Sequence, residues 1–132
     1  MLAASTYPRT YVDNCRRGID EQMAAYKALK PGASSAVFEA LFFNNLIVAL
    51  DRMFVHRTRA REGKDGNALN EVRMLSESIL ENGGVLGANK TIKYAPETSI
   101  LGIAIGGRIN LSQDEIARLP KAFFSEIDAT LT

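Results

Sequence analysis

One stretch of the sequence, from Phe38 to Arg73, carries most of the side chains that could bind a ligand. It holds the only histidine of the chain among asparagine, aspartate and arginine residues at near-helical spacing. Arginine donates two parallel hydrogen bonds to a carboxylate or phosphate, histidine titrates near neutral pH, and asparagine adds uncharged hydrogen bonds. The candidate site for an acidic ligand therefore comprises Asn44, Asn45, Asp51, Arg52, His56 and Arg59.

The spacing of these residues also fits a purely structural role. Asn45, Arg52, His56 and Arg59 follow one line of a helix, and Asn44 and Asp51 follow its edge. Such groups often satisfy one another or cap nearby backbone across a contact between helices or subunits. Asp51 has Arg73 and Lys64 as candidate ion-pair partners. We favour this packing interpretation, and the ligand site remains the alternative.

Other kinds of chemistry have less support. His56 with Asp51 and Glu71 would be a mixed metal-ligand set, but there is no second histidine and no HExxH or CxxC motif. Cys15 lies on an apolar helix stripe, where we expect a buried, unreactive thiol. No GxSxG motif is present. We assign no catalytic residue, metal or cofactor, and the pattern favours a non-catalytic protein over an enzyme.

Two basic features have simple explanations. From Arg52 to Lys64 the chain carries five cations against Glu62 alone, but no recognition motif or aromatic stacking set accompanies them. Cations also suit the end of a helix, so we do not expect nucleic-acid binding. The turn Gly63-Lys64-Asp65-Gly66-Asn67 is too short for a phosphate-binding loop and follows a helix. It is interpreted as a connection between helices.

The elements that position these residues are four predicted helices. The first runs from about Thr10 to Leu29 and stops at Lys30-Pro31-Gly32. The second starts after Ser34 or Ser35 and continues toward Arg61. The third is capped by Asn67 and ends at Asn82-Gly83-Gly84, forming an antiparallel hairpin with the second. Ser112 and Glu115 form a capping box for the last, which Pro120 should kink or split.

Three of these helices carry an apolar stripe at three- and four-residue spacing, which we expect to be buried. The stripes are Val12, Cys15, Ile19, Met23, Tyr26 and Leu29 in the first helix, Leu69, Val72, Leu75, Ile79 and Leu80 in the third, and Ile116, Leu119, Phe123, Ile127 and Leu131 in the last.

The second helix has two different faces. Its core face is strongly apolar and comprises Phe42, Phe43, Leu46, Ile47, Leu50, Met53 and Phe54. The opposite face mixes the candidate site with Phe38, Leu41, Val48 and Val55. A solvated face would not hold four large apolar residues. We therefore expect another helix, a partner subunit or a ligand to cover this mixed face.

A small amount of β-structure is predicted before the last helix. Ile100 to Ile105 and Arg108 to Leu111 flank Gly106-Gly107, a pair that suits a tight hairpin turn. Thr91 to Tyr94 is a candidate third strand. The predicted fold class is mainly α, a compact bundle of about four helices with a β-hairpin before the last, with α+β as the alternative. Residues 1–132 form a single domain, with 1–10 as a frayed or docked tail.

Length and composition set the broad class. With 132 residues, 16 basic and 15 acidic side chains and one cysteine, the chain matches a single globular domain in a reducing compartment. We expect a cytoplasmic protein, because the N-terminus lacks the features of a secretory signal. The apolar run from Val37 to Val55 is interrupted by charged residues, so no membrane-spanning segment is expected.

Two segments carry a resemblance. FFNNLIVALDRMFVHR and GKDGNALNEVRMLSESIL are similar to a group of uncharacterised bacterial hypothetical proteins, and the similarity extends over most of the chain after Val37. It implies a single compact domain with no known activity and supplies no catalytic residue.

The sequence thus favours a non-catalytic cytoplasmic binding or interaction module. We expect it to form a homo-oligomer through the mixed face of the second helix. The alternative is a binding protein for a small acidic ligand, or a small enzyme, that uses Arg52, His56 and Asn45.

Overall fold

The computed structural model describes residues 3–132, and within them the fold is mainly helical, as predicted. Five α-helices follow in order: α1 (Arg9–Ala28), α2 (Ala36–Met53), α3 (Arg59–Glu62), α4 (Ala68–Glu81) and α5 (Gln113–Thr130). Short 3-10 turns lie at Ala33–Ser35 and Pro96–Thr98. The described residues contain no β-strand, only two isolated bridges.

The first helix matches its predicted range except at its end. Val12, Cys15, Ile19 and Tyr26 are buried as expected, whereas Leu29 is 76% exposed, so its assignment to the apolar stripe is wrong. Lys30 adopts a left-handed backbone (φ 52°) immediately before Pro31. The helix therefore ends at Ala28, with Leu29 as its exposed C-terminal cap.

The second helix ends earlier than predicted. It stops at Met53, eight residues before Arg61, and the chain turns before the short helix α3, which Thr58 caps. The N-terminal tail fixes this break, because the Ala4 amide donates to the His56 carbonyl (2.6 Å) and the Thr58 amide donates to the Ala4 carbonyl (2.8 Å). The described part of the tail is therefore docked.

The pair α2 and α4 forms the centre of the fold. Their interface is the most extensive between any two described elements. Asn67 caps α4 as predicted, since its side chain accepts a hydrogen bond from the Asn70 amide (3.1 Å). Leu69, Val72 and Leu75 are buried, but Leu80 is 52% exposed and does not belong to the stripe.

The predicted β-hairpin and third strand are absent from the described residues. The turn at Gly106-Gly107 exists, but its following arm pairs with residues 84–86: the Gly106 amide donates to the Leu86 carbonyl (2.8 Å) and the Ile109 amide to the Gly84 carbonyl (2.8 Å). The first amides of the preceding arm, those of Ile100 and Leu101, donate to the Glu71 carboxylate. Both arms therefore have hydrogen-bond partners outside the predicted hairpin.

The Gly63–Asn67 turn is also packed rather than free. Its Lys64 carbonyl accepts the Lys93 amide at 2.8 Å. At Gly66 the backbone φ is +86°, and a Cβ there would lie 2.5 Å from the Lys93 carbonyl oxygen. Only glycine fits this close approach. Thr91 to Tyr94 is therefore a loop segment that lies against the turn.

The last helix begins at the predicted capping box. The Glu115 amide donates to Ser112 Oγ (3.1 Å), and the Ser112 amide donates to the Glu115 carboxylate (3.0 Å). The helix continues through Pro120 and is not split there. Its predicted apolar stripe is fully buried and comprises Ile116, Leu119, Phe123, Ile127 and Leu131.

Candidate functional site

The face of α2 that points away from the core is open in the folded chain. Val37 is 77% exposed, Phe38 56% and Leu41 68%, although each lies in a regular helix. Asn45 and Arg52 are also exposed and Val48 is half-buried. We call this surface the open face; it comprises Val37, Phe38, Leu41, Asn45, Val48 and Arg52. It includes part of the mixed face expected from the sequence, since Asn44 and Asp51 of that face are not exposed. α1 contacts the open face where the Tyr26 ring stacks on Phe38 (ring centroids 6.1 Å apart).

The six candidate site residues differ in exposure. Asn45, Arg52, His56 and Arg59 are exposed, and Arg59 donates to Thr91 Oγ1 at 3.3 Å. Since α2 ends at Met53, His56 and Arg59 do not continue its helical line.

The two remaining candidates, Asn44 and Asp51, are not exposed. Asn44 is half-buried and donates to the Ile109 carbonyl (3.1 Å), and Asp51 is buried. The six residues line neither of the two described cavities. No group of three or more metal-ligating side chains occurs in residues 3–132. The acidic-ligand site stays a prediction.

Asp51 belongs to a buried ionic network that the sequence analysis missed. Its carboxylate accepts from Arg57 Nη2 at 2.9 Å, so its partner is neither Arg73 nor Lys64. The guanidinium of Arg57 is fully buried and also donates to the carbonyls of Phe54 (2.9 Å) and Leu69 (3.1 Å). Arg57 is therefore not part of an exposed basic surface, and its bond to the Phe54 carbonyl lies at the C-terminal end of α2.

Glu62 is the second carboxylate of this network. It lies 3.1 Å from Arg57 Nε as an ion pair without hydrogen-bond geometry, and it accepts from Arg73 Nε (3.0 and 3.1 Å) and Asn70 Nδ2 (2.8 Å). Burial raises the pKa of Glu62, but the hydrogen bond from Arg73 and the charges of both arginines outweigh it. The net effect lowers the pKa below its usual value of 4.5.

Glu71 is buried on α4 in a different environment. Its two carboxylate oxygens accept the backbone amides of Ile100 (2.8 Å) and Leu101 (2.9 Å). Burial raises the pKa of Glu71, and the two backbone hydrogen bonds only partly compensate. These bonds use the amides of the predicted first β-arm and hold that segment against α4.

The buried network is a structural device rather than a binding site. Its charged groups are paired inside the protein and reach solvent little: Asp51, Arg57, Glu62 and Arg73. The sequence signal that could have revealed it was weak, namely charged residues within a segment that must turn between two apolar helices. Neither helical periodicity nor a motif marks Arg57 and Glu62 as buried.

Comparison with known proteins adds no assignment. No family model, curated protein or solved structure matches this chain. The resemblance to bacterial hypothetical proteins therefore stays a prediction, and the function must be argued from the surfaces of the molecule itself.

The segment that carries the open face also has the composition of a membrane helix. By length and composition alone, Ala33–Met53 could cross a bilayer, and only 22% of its most apolar window of 18 residues is buried. One such segment is weak evidence, because the core helix of a globular protein passes the same test. Asp51 lies within it and is held by a buried ion pair.

Proposed function

We propose that this protein is a non-catalytic interaction module that associates with a second copy of itself through the open face of α2. The observation that carries the proposal is the exposure of Val37, Phe38 and Leu41 side by side on one helix. Single exposed apolar residues are normal on a protein surface, whereas a contiguous patch with a polar rim is typical of an interaction site. The polar rim here is Asn45 and Arg52.

The charge of the open face favours an antiparallel pair of α2 helices. A two-fold axis brings the same surface of both copies together. If the helices ran parallel, Arg52 would face Arg52 of the second copy, and this repulsion would oppose association. In an antiparallel pair centred near Leu41 the two arginines lie far apart and the apolar residues of both copies meet. The helix dipoles are antiparallel in this arrangement, which is also favourable.

The first test is the oligomeric state. We expect sedimentation equilibrium to show a reversible dimer for the natural chain, and Leu41→Glu to shift the dissociation constant by at least tenfold toward monomer. An interface carboxylate in an apolar contact leaves a charge without a partner, which is costly. Ala25→Glu is the matched control, since it adds the same charge at an exposed position of α1 and should leave the dimer intact.

The second test is the direction of the pair. We expect oxidation of Leu41→Cys to give a covalent dimer, because this position lies near the two-fold axis, whereas Arg52→Cys should not cross-link. A parallel pair would cross-link at both positions. The natural Cys15 is buried and provides the uncross-linked background.

Two results would overturn the proposal. One is a monomer at every concentration up to the solubility limit. The other is a monomer that binds phosphatidylcholine vesicles through the open face, with binding lost in Leu41→Glu; this would assign the face to a lipid surface instead.

A further inference from the structure

A second surface, separate from the open face, is a groove between α1 and α5. The two helices are tied at one end, where Arg9 and Arg16 each form an ion pair with Asp128 (2.7 and 2.8 Å). At the other end of α1, the Tyr26 hydroxyl donates to the Glu39 carboxylate of α2. Between these ties the helices leave a cavity of about 620 Å³.

The lining of this groove is largely apolar. Ile19, Ile116 and Phe124 are at most 3% exposed and form its floor with Pro120. Ala24 and Ala117 also line it, and their small side chains leave space between the helices. The groove therefore has an apolar floor with polar side chains around it, a form that small-molecule sites often take.

The charges around the groove are not balanced along its length. Arg16 and Asp128 line one end and neutralise each other. Lys27 and Lys121 also line the groove, and neither forms an ion pair within residues 3–132. The one other charged lining residue is Asp20. The unpaired groups therefore leave a net positive charge.

The two lysines lie toward the same end. Arg16 of α1 meets Asp128 near the end of α5, so the helices run antiparallel. Lys27 lies about three turns beyond Arg16. Arg9 also contacts Asp128 and Thr132. Counted from all these contacts, Lys27 lies beside the first turns of α5, within about two turns of Lys121, and Asp20 lies near the level of Lys121. The groove thus combines an apolar floor with a basic end.

The volume of the groove suits a small molecule. Sites for drug-sized ligands span about 300–1,000 Å³, and the groove of about 620 Å³ lies within this range.

The geometry points to a binding site for a small anionic amphiphile in the α1–α5 groove. Its apolar chain lies over Ile19 and Phe124, and its carboxylate lies between Lys27 and Lys121. The apolar chain gains affinity by leaving water. The lysines select the sign of the head group. This inference concerns another surface and does not depend on self-association.

Three probes with the same chain test the inference: dodecanoate, dodecanol and dodecyltrimethylammonium, each titrated below its micelle concentration by calorimetry. We expect dodecanoate to bind at least tenfold more tightly than the cationic probe, with dodecanol between them. In Lys27→Gln/Lys121→Gln the dodecanoate affinity should fall to that of dodecanol, whose own affinity stays unchanged. Lys90→Gln/Lys93→Gln is the control, because these lysines do not line the groove.

Site location is tested separately with Ala117→Phe, which fills the groove, and with Leu41→Glu on the open face. We expect the first to lose dodecanoate binding and the second to keep it, with both checked for folding by circular dichroism. No dodecanoate binding, equal binding of the cationic probe, or unchanged binding in a folded Ala117→Phe variant would overturn the inference.

Discussion

At the scale of single residues, two buried glutamates have pKa values shifted in opposite directions. Glu62 and Glu71 are both 2% exposed. Glu62 faces two arginines, which lower its pKa despite burial, whereas Glu71 has only backbone amides as close partners and its pKa is raised by burial. The local charge, rather than burial itself, decides the direction of the shift.

These opposite shifts predict opposite effects on the pH dependence of stability. In the folded state Glu62 binds a proton less readily than in the unfolded state, so it stabilises the fold above its usual pKa of 4.5 and this contribution is lost as the pH falls. Glu71 binds a proton more readily when folded, so its contribution is present at low pH and is lost as the pH rises through its raised pKa.

Urea unfolding across the acid range measures these contributions. Glu62→Gln should flatten the rise of the free energy of unfolding with pH, and Glu71→Gln should steepen it. Glu97→Gln, an exposed residue, should leave the slope unchanged. Equal slopes in all three variants would show that neither buried carboxylate has the predicted shift.

At the scale of elements, the network around Arg57 joins the end of α2 to α3 and α4. One guanidinium contacts Asp51 of α2, Glu62 of α3 and the Leu69 carbonyl of α4. It also lies over the Phe123 ring of α5, 5.5 Å from its centroid. A single buried cation therefore holds the chain at the point where α2 stops.

Arg57→Met should lower the free energy of unfolding by about 3–5 kcal/mol, because it leaves two buried carboxylates without one of their cations. Chemical denaturation measures the loss. Arg59→Met changes an exposed arginine two residues away and should stay within about 0.5 kcal/mol of the natural protein. A loss below 1 kcal/mol for Arg57→Met would mean that the network contributes little to stability.

The β-hairpin shows where element prediction from sequence stops. Its turn residues are present and its strands have suitable composition, yet Glu71 takes the amides of Ile100 and Leu101 and the loop after α4 pairs with the residues near Gly106. Residues distant in the sequence supplied these acceptors. Strand formation depends on which segment of the chain supplies the hydrogen-bond partners, and local composition does not predict that segment.

At the scale of the whole molecule, the proposed dimer predicts a stability that depends on concentration. Association of folded chains shifts the unfolding equilibrium by mass action. We expect the Tm of the natural chain to rise by roughly 2–4 °C for each tenfold increase in protein concentration. Leu41→Glu should have a Tm that does not change with concentration, and calorimetry at three concentrations measures both.

The sequence by itself determined the helical class, the starts of α4 and α5, the core of α5 and the two faces of α2. These follow from local signals: apolar periodicity and side chains that cap the adjacent backbone. Only the tertiary structure decided that α2 ends at Met53, that Arg57 and Glu62 are buried, and that the open face of α2 is exposed while a groove lies between α1 and α5. Each of these features depends on which distant residues supply hydrogen-bond partners or leave space. Contacts of this kind do not recur at a regular interval along the chain, so periodicity cannot predict them.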